Sequence, residues 1–204
     1  CRMFDITAIG ELLIDMAQSG MSDIGSPIFE ANPGGAPCNV LAMLNKLGRS
    51  TAFIGKVGDD IFGKKLKNIV ESSGTDIGGL VFDENVRTTL AFVETDEYGD
   101  RNFSFYRAPG ADMMLREDEV NVDIIKQSRV LHFGTLSMTH DGVEKATVKA
   151  IETAKDSDLL LSFDPNLRPP LWDSMDRAKR KIDYGCSVSD IVKIETDELR
   201  FLTG

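Results

Sequence analysis

The 204-residue sequence has no long apolar run. Its densest stretch, Ile9–Met16, is interrupted by Glu11 and Asp15, far short of the ~18 apolar residues of a membrane span. A membrane is therefore not an expected partner. No basic segment leads into an apolar stretch and a small-residue cleavage site, so no secretory signal is read and the expected location is the cytoplasm. Cysteine is scarce: Cys1, Cys38 and Cys186 are odd in number, widely spaced and form no Cys-x-x-Cys pair. Reduced thiols are the simplest reading, not a disulfide framework. The two histidines, His132 and His140, cannot build a metal cluster by themselves. Positive charge is in deficit, with 23 Lys and Arg against 33 Asp and Glu and a net charge of −10. A protein that grips a phosphate backbone shows the opposite balance, so nucleic acid is not an expected partner either.

What is present is an ordinary globular composition, 42% hydrophobic and 27% charged, at a length that suits one domain. The element order is mostly strand, turn, helix, strand. Phe4–Ile14 reads as a buried strand, Thr51–Val57 as a second, and Val130–Phe133, Leu159–Phe163 and Ile191–Ile194 as later ones. Helices are expected after Gly34-Gly35-Ala36-Pro37, over Phe62–Val70 with Asp59 or Asp60 as cap, and over Gly142–Ala154, Met175–Ile182 and Glu198–Leu202. This rhythm predicts an α/β fold with a mostly parallel sheet covered on both sides. The middle breaks the rhythm. Thr89–Val93 and Asn102–Tyr106 flank a turn with Gly99 as the expected positive-φ residue, which predicts a hairpin with Phe103 and Phe105 on its apolar face.

Several segments carry residues suited to ligand chemistry. Gly34-Gly35 before a helix lets a ligand approach backbone N–H groups, and Asn39 in the first turn can donate and accept. Asp15 follows a strand and offers a carboxylate to two hydroxyls; a solvated loop carboxylate is the competing reading. Asp164-Pro165-Asn166-Leu167-Arg168-Pro169-Pro170-Leu171-Trp172 begins where a buried strand ends, with Arg168 as a rigid cationic fork and prolines that stiffen the loop. Arg107 sits at the hairpin edge, where a cation closes over a ligand or is a plain surface charge. Gly58-Asp59-Asp60-Ile61-Phe62-Gly63-Lys64-Lys65 nearly spells a P-loop. It fails where Lys65 replaces the Ser or Thr that would bind magnesium, and it is read as a capped turn.

Seven of these segments, in order, resemble the PfkB (ribokinase-like) sugar kinases, and among them the bacterial fructokinases. They are Gly10–Asp15, Asn32–Val40, Gly55–Asp60 with Gly63, Phe105–Arg107 with Pro109–Asp112, His132–Gly134, Phe163–Trp172 and Lys193–Gly204. The resemblance implies a three-layer ribokinase-like sandwich over residues 1–204, with a small β-sheet lid from about Met16–Asn32 and Thr89–Arg107, which in many relatives also pairs subunits as a homodimer. It implies transfer of the ATP γ-phosphate to a sugar primary hydroxyl, most directly fructose to fructose 6-phosphate, with Mg2+ accompanying ATP and a monovalent cation as a further candidate. It assigns Asp15, Gly34, Gly35, Asn39 and Arg107 to the sugar, and Asp164, Asn166, Arg168 and Lys193 to the phosphate side. It gives Glu198 to magnesium through water, although Glu195 stands where the family often has asparagine. The family's Gly-Ala-Gly-Asp segment, which supplies the general base, occurs nowhere in the 204 residues; its absence predicts negligible kinase activity for this chain, and it makes a fragment the expected reading. Two alternatives follow: a 2-dehydro-3-deoxygluconate kinase, with Arg107 and Arg168 receiving the carboxylate, and a non-catalytic binding protein derived from a kinase.

Overall fold

The structure is a computed structural model that describes residues 3–95 and 101–204. Its strands and helices run β1 (Phe4–Ile9), β2 (Leu13–Met21), β3 (Pro27–Gly34), α1 (Ala36–Lys46), β4 (Thr51–Gly58), α2 (Ile61–Ser72), β5 (Thr75–Asp83), β6 (Leu90–Thr95), β7 (Arg101–Tyr106), α3 (Val122–Lys126), β8 (Ser128–Gly134), α4 (Asp141–Asp156), β9 (Leu160–Asp164), α5 (Met175–Val188), β10 (Ile191–Val192) and α6 (Thr196–Thr203). Six strands form one sheet in the order β10-β9-β8-β1-β4-β5, and every pairing in it is parallel.

Such a sheet is buried on both faces, and its strands read as near-continuous apolar runs. Strand β4 shows why. All eight of its residues are buried. Ala52 and Ile54 point into one core with Phe133, Phe163 and the inner faces of α4 and α5. Phe53 and Val57 point into the other, with Leu41 of α1 and Leu66 and Val70 of α2. Helix α2 starts at Asp60, whose carboxylate accepts from the N–H groups of Phe62 and Gly63 at 3.0 and 2.9 Å. That carboxylate takes the helix N-terminal donors a phosphate would use, so the near-P-loop string is a capped turn.

The second sheet has four strands in the order β3-β2-β6-β7. It is mixed: β2 pairs antiparallel with β3 and parallel with β6, and β6 pairs antiparallel with β7. The expected hairpin is therefore present, while its Gly99 turn lies outside the described residues. Two sequence expectations are corrected. Phe4–Ile14 is two strands in two different sheets, because the chain leaves the central sheet after Ile9 and enters the small one at Leu13. A continuous buried run does not reveal that change of sheet. Strand β5 was not expected at all; Asp76, Gly78 and Gly79 dilute its strand signal. It is the edge of the central sheet, and its register against β4 slips between Ala52 and Ile54.

Candidate functional site

A cavity of about 450 Å³ lies between the small sheet, the start of α1 and the loops that follow β8 and β9. Asp15, Asn32, Gly35, Asn39, Asn166 and Arg168 line it, with Phe103 and Phe105 as its aromatic wall. Asp15 stands inside β2, opposite Asn32 of β3 and Ala91 of β6. It belongs to the small sheet, not to the carboxyl end of a central strand as its sequence position suggested. Strand alternation explains the set: Asp15, Asn32, Ala91 and Phe105 share one face through cross-strand pairing.

The two glycines have separate jobs. At Gly34 a β-carbon would overlap the Asp15 carboxyl group, so the missing side chain makes room for that carboxylate. Gly35 has φ +117° and lies against the Glu11 carbonyl, a conformation and a contact that exclude other residues. Gly35 is the N-cap of α1 and its carbonyl accepts the Asn39 N–H at 3.1 Å. The glycine-rich turn thus sets where Asn39 meets the cavity.

The loop after β9 supplies the opposite rim. Asn166 takes a positive φ of 46°, and its N–H bonds the Asp164 carboxylate at 3.2 Å. This Asx turn points the chain back over the cavity. The Arg168 guanidinium donates to the Leu167 carbonyl at 3.1 Å and sits 5.8 Å from the centre of the Phe103 ring. That cation–π contact joins loop to small sheet. Phe103 and Phe105 are themselves stacked, ring centres 6.0 Å apart.

The remaining expected residues lie elsewhere. Arg107 is not among the cavity's lining residues. Its side chain is buried, bonds Asp112 through Nε at 2.8 Å and pairs with it again at 2.7 Å. It also donates to the Thr139 hydroxyl at 2.9 Å and the Leu136 carbonyl at 3.0 Å. Asp112 also accepts from the Thr89 hydroxyl. Arg107 therefore ties the end of β7, and through Asp112 the approach to β6, to the loop after β8. Asp164 faces a smaller recess with Glu11, His132 and Thr135 and pairs with Lys193 at 3.3 Å. Lys193 also bonds Glu195 at 3.1 Å. Burial alone would lower the Lys193 pKa, but Glu195 and Asp164 outweigh it and raise it. Glu198 is buried, accepting from the Leu167 N–H at 2.7 Å and the Glu195 N–H at 2.9 Å. It braces the Arg168 loop against α6. Among the described residues no group of three His, Cys, Asp or Glu could hold a metal ion.

Two residues at the site have no role in the sequence reading beyond belonging to segments that carry the resemblance. Glu11 lines both the cavity and the recess, 3% exposed. Desolvation pushes its pKa up to about 7 against hydrogen bonds from its own and the Ala36 N–H. His132 is buried beside it, with Nδ1 3.0 Å from the Ser162 hydroxyl, and desolvation lowers its pKa against the pull of Asp164. Their signal was a charged and a titratable residue inside otherwise apolar strand runs.

Residues 3–204 match the pfkB family of carbohydrate kinases. A probable fructokinase-5 of Arabidopsis thaliana is 46% identical over 200 residues, 97% of this chain and 62% of that protein. A Xylella fastidiosa fructokinase solved with bound ATP superposes with a TM-score of 0.87 at 32% identity, over 98% of this chain and 61% of that one. A putative ribokinase II of E. coli, solved with ATP and Mg2+, gives 0.87 at 27% identity, over 98% and 65%. The chain thus spans about three fifths of the length of the relatives it matches. With its six-stranded parallel sheet and small mixed sheet, the chain has the ribokinase-like α/β fold and belongs to the pfkB family of carbohydrate kinases.

Proposed function

We propose that the chain carries the sugar-holding part of an ATP-dependent kinase that phosphorylates a primary hydroxyl of fructose, giving fructose 6-phosphate. The observation that supports this is the convergence of Asp15, Asn32 and Asn39 in one cavity with an aromatic wall. A carboxylate and two amides offer both acceptors and donors to neighbouring hydroxyls, which is what a polyol needs. Gly34 keeps the Asp15 carboxylate clear and Gly35 exposes backbone at the cavity edge. Asn166, Arg168 and the Asp164–Lys193 pair form the side that faces the transferring phosphate. Phosphoryl transfer is mostly positioning and neutralisation of charge on the transferred group, and Arg168 and Lys193 are the cations for it. Mg2+ enters as part of the nucleotide substrate. The general base is assigned to none of the 204 residues.

Fructose is favoured over 2-dehydro-3-deoxygluconate because a keto acid asks for a cation at its carboxylate. Arg107 is committed to Asp112, which leaves Arg168 as the one cation among the described lining residues. The outer face of the small sheet carries Phe29, Phe92 and Tyr106 in ring contact. With Tyr106 65% exposed, that face is the place for pairing with a second copy.

Competitive titration tests the substrate reading. The chain is expected to bind fructose and to bind the keto acid at least about tenfold more weakly, a difference of about 1.4 kcal/mol. The reverse order would move the assignment to the keto acid, and binding of neither would remove the sugar site.

A further inference from the structure

We infer that Glu11 is a positioning residue for the sugar cavity: its carboxylate, reaching from the β1–β2 crossing, fixes the first turn of α1 and with it the glycine-rich edge and Asn39. The inference rests on the proposed sugar site and deepens it.

Helix α1 begins without local help. Its N-cap is Gly35, which has no side chain to cap with, and its first turn contains no acidic residue. The first N–H groups of a helix need outside acceptors. Pro37 has no N–H to satisfy. The Ala36 N–H is met from 25 residues away, by Glu11 Oε1 at 2.9 Å. The same residue's backbone carbonyl packs against Gly35. One residue therefore holds the cap from two directions, and Asn39 hangs on that cap through its bond to the Gly35 carbonyl. A buried carboxylate is an expensive way to cap a helix. An ordinary Ser or Asp at the N-cap would serve stability alone, but the positive φ of Gly35 and the Glu11 carbonyl against it leave no room for either side chain. Capping from Glu11 supplies the acceptor that a glycine N-cap cannot.

The bond joins a titratable group to the site. Charged and titratable neighbours face Glu11 from each element around it: Arg107 and Asp112 from the segment after β7, the Cys38 thiol from α1, and His132 and Asp164 across the recess from β8 and β9. Burial dominates among these influences and raises the Glu11 pKa to about 7. An ionised carboxylate is a stronger acceptor at a helix N-terminus than a protonated one. The grip on Ala36 accordingly tightens as pH rises through 7.

The test uses amide exchange and fructose titration on the same protein. In Glu11→Ala, exchange at Ala36 and Asn39 is expected to speed up by about tenfold or more, with fructose affinity falling by a similar factor. Glu11→Gln keeps the acceptor oxygen and is expected to restore both to within about threefold. Glu11→Asp is one methylene short of Ala36 and is expected to behave like Glu11→Ala. In the unaltered protein the Ala36 amide signal should move with a midpoint near 7, and this movement should vanish in Glu11→Gln. If Glu11→Ala does not fold, the contrast between Gln and Asp decides. Unchanged exchange and unchanged affinity in Glu11→Ala would overturn the inference, as would a flat Ala36 titration. If the unaltered protein binds no fructose, the proposed substrate falls, while the exchange and titration still decide the role of Glu11.

Discussion

Replacing Arg107 with Met separates two roles that the sequence could not. A sugar ligand at the cavity edge would cost affinity and leave stability alone. The structure gives the opposite expectation. The Arg107 and Asp112 side chains are 2% and 1% exposed, so deleting the cation strands a carboxylate in a place water does not reach. Breaking one half of a buried pair costs about 3–5 kcal/mol, because the remaining charge is uncompensated. Thr89 still donates to Asp112, which places the loss toward the lower end. With a urea slope of about 3 kcal/mol/M for a chain of this size, the unfolding midpoint should fall by about 1–1.5 M. Adding Asp112→Asn removes the stranded charge and should recover at least half of the loss. The assay is urea unfolding followed by circular dichroism, with fructose titration alongside. A Met variant within about 1 kcal/mol of the parent that has nevertheless lost fructose would refute this reasoning and return Arg107 to the sugar.

Asp60→Ala should cost about 1–3 kcal/mol in urea unfolding, since its carboxylate caps α2 and also takes the N–H and hydroxyl of Thr88. Burial alone would raise its pKa, but these bonds, Thr88 foremost, hold it below the ordinary 3.8. Its stabilisation is complete above that value and lost as pH falls through the lower folded pKa, so the Ala variant should differ from the parent less at pH 2 than at pH 6. Glu11 runs the other way. Its folded pKa of about 7 exceeds the ordinary 4.5, so its contribution is fully present below 4.5 and lost as pH rises through 7. Relative to Glu11→Gln, the parent should lose up to about 3 kcal/mol of unfolding free energy across that window; a constant difference would contradict the burial argument. Tyr106→Lys should shift the chain toward monomer in light scattering at micromolar concentration, whereas an unaltered mass would clear the outer face of the small sheet of any pairing role.

Period and punctuation made the central sheet legible. Buried β4 and β9 announce themselves as apolar runs, and Gly35-Ala36-Pro37 announces the start of α1. The sheet change after Ile9 was not legible, because a buried strand looks the same in either sheet. That one ambiguity displaced Asp15 from a loop to the middle of β2. Asp15, Gly35, Asn39, Asn166 and Arg168 come together around one cavity, while Gly34 stays behind Asp15 without lining it. Arg107 shows the limit: a cation beside a hairpin reads as an exposed ligand, and only Asp112, five residues on, reveals a buried pair. Glu11 shows another. Its importance lies in a bond to Ala36, 25 residues further along the chain, which no local pattern encodes.

The central claim is that Asp15 and its neighbours hold a hexose, and calorimetric titration of the chain with fructose tests it most directly. The expected result is saturable binding with Kd at or below about 1 mM. Asp15→Ala should weaken it by about 10- to 150-fold, the worth of hydrogen bonds to a charged group, with unchanged circular dichroism. Parent protein that shows no saturation at about 10 mM fructose, or an Ala variant that binds as well as the parent, would contradict it.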